Sequence, residues 1–232
     1  SAESTPFSFI MIPESGNRRI LHTLGAAATF SPADIDPASF KGVKWVSLNG
    51  LALLPGLEGE NLAKVLQQAK AAGARTAADT AINDRWSPKE WEALFAQSYG
   101  LLDVLFPSEV EARMLTGETV PRKIVEKLKK RGVKIAGVKL GDKGSALLTD
   151  EGYFEVPIYP VKCIDTLGAG DCFMAGFLAG MVRGMQPQEA ALLGNATSAH
   201  CVQAVGATTG IPKLSAVLEF QKKHNVRVTG GG

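Results

Sequence analysis

The sequence is poor in the residues that build metal centres and disulfide frameworks. It holds three cysteines, Cys163, Cys172 and Cys201, an odd number without a CxxC pair, and three histidines without ligand spacing. That excludes a zinc module and a disulfide-stapled scaffold and points to reduced thiols in a cytoplasmic protein. An excess of one charge is lacking too. With 25 basic and 23 acidic residues the formal net charge is +2, which leaves no surplus for a nucleic-acid partner. The run Lys127, Lys129, Lys130 and Arg131 reads as a solvated helix end. No apolar run reaches the length of a membrane span, and the first residues carry no basic-then-apolar signal pattern. Internal repeats, low-complexity tracts and a convincing linker are missing as well. What remains is 232 residues, 45% hydrophobic and 21% charged, the make-up of a soluble chain that buries a full core in one domain.

Residues 7–12 and 19–24 read as short strands joined by the turn-rich PESGNR, with Gly16-Asn17 supplying a hairpin bend. From residue 43 onward strands and helices alternate. VKWVSL, ARTAADT, GLLDVLFP and VKIAGVKL are the strands. Between them lie an amphipathic helix stopped by Gly73, a helix with Ser87 as cap and Pro88 in its first turn, and the helices SEVEARMLTG and VPRKIVEKLKKRG. A strand pair follows, GDKGSALLTD with GYFEVP. Two further helices come last, one after residue 168 and one spanning 187–206. This alternation predicts an α/β fold with a mostly parallel central sheet covered on both faces and ligands at the C-terminal ends of its strands.

The stretch CIDTLGAGDCFMAGFLAG, Cys163 to Gly180, carries the chemistry. Gly168, Ala169 and Gly170 permit close backbone approach and positive φ, so successive N–H groups can face one concavity. A helix starting near Gly170 adds its unpaired N–H groups and its dipole, which favours an anion such as phosphate. Asp171 beside that pocket can take a proton from an attacking hydroxyl, an apparatus suited to phosphoryl transfer. The same pattern also fits a plain tight turn with Asp171 as helix cap. Gly176, Gly180 and Gly184 recur every fourth residue and are expected to allow close packing against the sheet. Cys172 reads as a small buried hydrophobe, His22 as a packed or hydrogen-bonded residue and His200 as a structural one.

The longer string D-T-x-G-A-G-D-x-F-x-A-G-F, residues 165–177, resembles the C-terminal signature of the ribokinase-like (PfkB) carbohydrate kinase family. GNRRILHTLGAAATFSPADI, VKLGDKGSALL and GNATSAHCVQAVGATTGIP resemble further family segments in the right order, so the likeness spans nearly the whole chain. The resemblance implies a three-layer α/β/α fold in one domain over 1–232, with 1–24 as lid-proximal strands and 25–232 as the core. It implies ATP as donor, Mg²⁺, and a sugar-like acceptor. Asp171 matches the catalytic base, next to the acceptor, and Gly168, Ala169 and Gly170 match the anion hole. Lys139, Gly141 and Gly144 match the nucleotide-side turn, Thr166 the approach to the anion hole, Asn195 a position near the adenine, and Gly206 and Ala207 the loop closing the base pocket. Asp165 matches the neighbourhood of a monovalent cation, usually potassium. A homodimer is a candidate assembly.

The pattern also departs from the family. Where Asn-x-x-Glu is expected the chain has Ser108 and Glu111, with Glu111 placed to reach Mg²⁺ through water. DTAINDRW stands for the family's Asp-x-Asn-x-Arg, leaving Arg85 as either a phosphate contact or a solvated loop cation. The family's opening strand, substrate-binding acid and Gly-Gly region have no counterpart before Ser1, so the chain is expected to be an N-terminally truncated kinase with an exposed sheet edge. Two rival expectations follow: a nucleoside or vitamin-precursor kinase of the same fold, and a catalytically incomplete nucleotide-binding or oligomerisation module. A dinucleotide-binding oxidoreductase is disfavoured, because no acid-bearing second strand follows the glycine turn at the required distance.

Overall fold

The computed structural model describes residues 3–11, 19–81 and 86–231. An antiparallel ribbon of β1 (Phe7–Met11) and β2 (Arg19–Thr23) forms a sheet of its own. The bend expected at Gly16-Asn17 lies outside the described residues. Phe7, Phe9, Ile20 and Leu21 of this ribbon are all more than half exposed. Beyond it, short 3-10 turns lead to a seven-stranded sheet. Strands β3 (Trp45–Leu48), β4 (Arg75–Ala78), β5 (Val104–Leu105) and β6 (Ile135–Lys139) lie side by side in chain order and run parallel. β7 (Ser145–Thr149), β8 (Gly152–Val156) and β9 (Thr229–Gly230) add to that block through antiparallel pairings. The edge strand β3 pairs with β4 alone among the described residues, and all four of its residues are half-buried.

Successive strand residues point to opposite faces, so neighbours in sequence feed separate cores. Ala78 and Leu105 face one side. There they meet Leu62, Val65 and Leu66 of α1 (Glu60–Ala71) and Trp91 and Leu94 of α2 (Pro88–Phe95). Leu115 of α3 (Glu109–Thr116) and Ile124 and Leu128 of α4 (Pro121–Lys130) complete that layer. Ala77 and Val104 face the other side, against Phe173, Met174 and Phe177 of α5 (Ala169–Val182) and Ala190 and Ala191 of α6 (Pro187–Cys201). Each fully buried large apolar side chain contributes roughly 1.5–3 kcal/mol. The result is the three-layer α/β/α arrangement, with the open C-terminal edge of the parallel strands left for a site.

Three expectations are corrected. The glycines of α5 pack against α6 and not against the sheet: a Cβ on Gly176 would fall 2.3 Å from Thr197 Oγ1, and one on Gly180 would fall 2.9 Å from Ala190 Cβ. The aromatic face of α5 takes the sheet, so the helix is apolar all round because both sides are covered. Second, the helix expected over 187–206 stops at Cys201. The Val202 carbonyl accepts the N–H groups of Ile164 and Asp165, 2.7 and 3.2 Å, and so ties the end of α6 to the approach to α5. Third, α7 (Leu214–His224) and β9 were not foreseen. α7 packs on α6 around Val217, and Phe220 lies 4.7 Å from the His200 ring.

At the opposite, N-terminal end of the strands Asp103 gathers Lys70 and Lys134, 3.0 and 2.8 Å, and accepts the Thr76 N–H. Burial pushes its carboxyl up, and the hydrogen bonds from Lys134, Thr76 and Lys70 outweigh this to hold it below the ordinary value of 3.8. A lowered pKa means that the stabilisation is present above the unfolded value and is lost as pH falls through the folded one. Asp103→Asn should therefore cost about 2 kcal/mol at neutral pH, and urea melts should show the gap to the unsubstituted chain closing below pH 3.8.

Candidate active site

Asp79 and Thr80 follow β4, Ser108 follows β5, and Lys139 ends β6, so three parallel strands deliver polar residues to one edge. The approach to α5 arrives at the same edge. Gly168 precedes the helix with φ +77°, and a Cβ there would sit 2.7 Å from the Ala207 Cβ and carbonyl oxygen. Only glycine satisfies both the left-handed backbone and that contact. Cys172 N–H donates to the Gly168 carbonyl at 2.9 Å and opens a helix of 14 residues. Gly170 and Asp171 belong to its first turn, whose N–H groups have no acceptor within the helix. Asp171 is exposed and lies third in that turn; the cap is Gly168, with no side-chain bond. The capping alternative for Asp171 is thereby removed.

Asp165 holds the turn from below. One of its carboxylate oxygens accepts the Leu167 N–H at 2.9 Å, and the other accepts the Gly206 N–H at 3.0 Å. Ser198 Oγ donates to the Ala169 carbonyl at 2.7 Å, joining α6 to the same corner. The Cys172 thiol, at the start of the helix, is pushed up to about 12 by burial and by neighbouring Cys201.

A cavity of about 420 Å³ opens beside this turn. Its walls are largely apolar: Ile158, Tyr159 and Val161 after β8, Phe173 of α5, and Ala199 and Val202 on or just beyond α6. Lys139, Gly141, Gly144, Thr166, Ala169, Gly170 and Asn195 line it as well. Gly144 has φ +93°, and its missing side chain leaves room for the Val156 carbonyl. Asn195 is buried, and its Nδ2 donates to the Val156 and Pro157 carbonyls at 3.0 Å each, tying the exit of β8 to α6.

Lys139 points from the sheet toward the helix start. A Cβ on Gly170 would be 3.1 Å from its Nζ. On its other side the ammonium donates to Asp79 Oδ2 at 2.5 Å. Burial raises the Asp79 carboxyl to about 6, with Lys139 opposing and the charge of Glu111 adding to the rise. Thr80 Oγ1 donates to Glu111 Oε2 at 2.5 Å, and the same oxygen accepts the Ser108 N–H at 2.7 Å. Ser108 and Glu111 thus form the capping box of α3, which explains the S-x-x-E spacing locally. Mg²⁺ takes one or two carboxylates together with nucleotide phosphates and water. Glu111, buried and already hydrogen-bonded, fits an outer-sphere place in such a set. Among the described residues there is no cluster of three or more His, Cys, Asp or Glu.

The structure therefore brings Gly168, Ala169, Gly170, Asp171, Lys139, Gly141, Gly144, Thr166 and Asn195 to one corner. Gly206 and Ala207 stand behind Gly168, away from the cavity wall. Arg85 lies outside the described residues. Trp86, from the same drifted segment, packs edge-on against Trp91 with ring centroids 5.3 Å apart. Sequence reasoning missed the pairing of Asp79 with Lys139 and the wall at Ile158–Val161. Asp79 itself was marked in the sequence as the first residue of DTAINDRW, the stretch that stands for the family's Asp-x-Asn-x-Arg; its partner was not.

A sheet of parallel strands, a glycine turn feeding an exposed acid into a helix start, and a lysine beside it define a ribokinase-like α/β protein. The model of the pfkB family carbohydrate kinases matches residues 1–214, and the chain belongs to that family. It is 31% identical over 210 residues to an uncharacterized sugar kinase of Archaeoglobus fulgidus, covering 89% of this chain and 80% of that protein. The Arabidopsis thaliana ribokinase complexed with ribose and ATP superposes with a TM-score of 0.80 at 29% identity, over 95% of this chain and 70% of that one. A putative ribokinase II of E. coli in complex with ATP and Mg²⁺ gives 0.79 at 25% identity, over 96% and 72%. Among the described residues no helix is long and apolar enough to cross a membrane.

Proposed function

We propose that the chain transfers the γ-phosphoryl group of ATP to a hydroxyl of a sugar or small polyol. The observation that carries this reading is the meeting of the Lys139 ammonium with the first turn of α5 at the mouth of an apolar cavity. The cavity suits a flat base, gripped by Ile158, Val161, Phe173 and Val202. Gly141 and Gly144 bring backbone close to the phosphate chain. Of the expected anion hole Gly168–Gly170, the Ala169 N–H is taken by the Thr166 carbonyl at 3.3 Å, so the N–H groups of Gly170 and Asp171, with Lys139, face the terminal phosphoryl group and stabilise the charge that builds on it. Asp171 accepts the proton of the acceptor hydroxyl as that oxygen bonds to phosphorus and the bond to the ADP oxygen breaks. Glu111 would hold Mg²⁺ through water, and the ion would supply charge that shields the nucleotide phosphates. Asp165 would serve a monovalent cation by holding the surrounding loop in shape through the Leu167 and Gly206 N–H groups.

The acceptor lies on the open side of Asp171. Arabidopsis ribokinase holds ribose and ATP together, which supports a sugar-like acceptor here. Incubation of the chain with ATP and a panel of pentoses, hexoses and polyols should yield ADP and one phosphorylated acceptor in equal amounts. ATP hydrolysis without any phosphorylated acceptor, or no turnover with any member of the panel, would count against the reading.

A further inference from the structure

The Asp79–Lys139 pair is not required by the sheet. A buried ion pair is seldom worth more than well-packed apolar side chains, because removing both charges from water offsets their attraction. The carboxylate is 4% exposed and the ammonium 13%. The pair also reaches past β5, joining the ends of two strands that do not touch. The Asp103 cluster at the opposite edge is of a different kind: its lysines are 29% and 64% exposed, and it borders no part of the cavity.

A lysine side chain is long and flexible, with three rotatable donors, and it keeps one position only when something holds it. Asp79 supplies that hold, and it is itself immobilised. Its N–H donates to the Leu48 carbonyl at 3.0 Å, and its Oδ1 accepts the Thr80 N–H at 2.8 Å. That leaves Oδ2 aimed at Lys139, whose own N–H is fixed on the Pro107 carbonyl at 2.9 Å. Glu111 is another acid of this edge, and its bonded oxygen is committed to Ser108 and Thr80.

We infer that Asp79 is a positioning residue, which holds the Lys139 ammonium against the first turn of α5 where the terminal phosphates of a nucleotide would lie. The inference rests on the kinase reading above and adds a distinct requirement to it. Asp79 touches neither substrate in this scheme. Its effect passes through Lys139 and falls on the β- and γ-phosphates, leaving the base and the α-phosphate untouched.

The test is calorimetric titration of the full chain with AMP and with a non-hydrolysable ATP analogue, for the unsubstituted protein, Asp79→Asn, Lys139→Met and the double variant. Asp79→Asn should weaken the analogue by about tenfold or more, the loss of a charge-held contact, and leave AMP within about twofold. The double variant should bind the analogue no worse than Lys139→Met alone, since Asp79 acts through the lysine. Unchanged analogue affinity in Asp79→Asn overturns the inference. So does an equal loss for AMP and the analogue, or additive losses in the double variant. If Lys139→Met has no effect, or the unsubstituted chain does not prefer the analogue to AMP, the kinase reading itself fails. Should Asp79→Asn not fold, the Lys139 ammonium can be followed in the unsubstituted chain by nitrogen-15 NMR. A slowly exchanging signal that moves with the analogue and not with AMP is expected, and a signal averaged like that of a surface lysine overturns the inference.

Discussion

Asp171→Asn should lower phosphoryl transfer by about a hundredfold to ten-thousandfold, the range of a general base, while nucleotide affinity stays within a few-fold. The separation follows from where the residue stands. Asp171 is exposed and makes no capping bond to α5, and it is not part of the cavity wall. Its only structural contribution is a carboxylate in the first helical turn, worth about 0.3–1 kcal/mol against the helix dipole. Thermal melts should therefore move by a few degrees at most. The asparagine keeps the shape and the backbone N–H, but it cannot accept a proton from the attacking hydroxyl. Steady-state kinetics with saturating ATP check this: a fall in kcat with little change in KM for ATP is the expected pattern. Full retained turnover would remove Asp171 as the base.

Gly168→Ala should damage both stability and turnover. A side chain at φ +77° costs about 1–2 kcal/mol, and overlap in a packed contact adds about 1–3 kcal/mol. The neighbours are the Cβ and backbone of Ala207 at 2.7–2.8 Å, and backbone yields poorly. The Gly206 side of that loop is held by Asp165, so a shift at Ala207 disturbs both walls of the turn. The first-turn N–H groups would then leave the transferring group, and losing an oriented donor costs about a hundredfold or more in rate. Urea melts and kcat, measured together, should fall together. A variant with normal stability and normal kcat would show that the turn is not the anion site.

The layers and the helix start were legible because local chemistry determines them. Ser87 and Pro88 announce α2 and the glycine-acid string marks the start of α5, whereas the S-x-x-E of Ser108 and Glu111, read for its likeness to Asn-x-x-Glu, proves to be the cap of α3. What stayed hidden depends on which strands become neighbours. Asp79 and Lys139 lie 60 residues apart, and the order β4-β5-β6 brings them together. No spacing in the chain encodes that order. The cavity wall at Ile158–Val161 has neither strand nor helix periodicity, so it looked like connecting chain. The glycines of α5 showed a small-residue stripe whose expected partner was the sheet and whose actual partner is α6. Asn195 was placed near the adenine by the resemblance, but its Nδ2 donors are spent on the Val156 and Pro157 carbonyls. An isolated sequence position does not reveal such internal bonds.

The most direct measurement is a crystal structure of the chain with a non-hydrolysable ATP analogue. The terminal phosphate should lie within hydrogen-bonding distance of the Gly170 and Asp171 N–H groups and of Lys139 Nζ, with the base between Val161, Phe173 and Val202. A base in that cavity with its phosphates directed away from the start of α5, or a nucleotide bound elsewhere, would contradict the account.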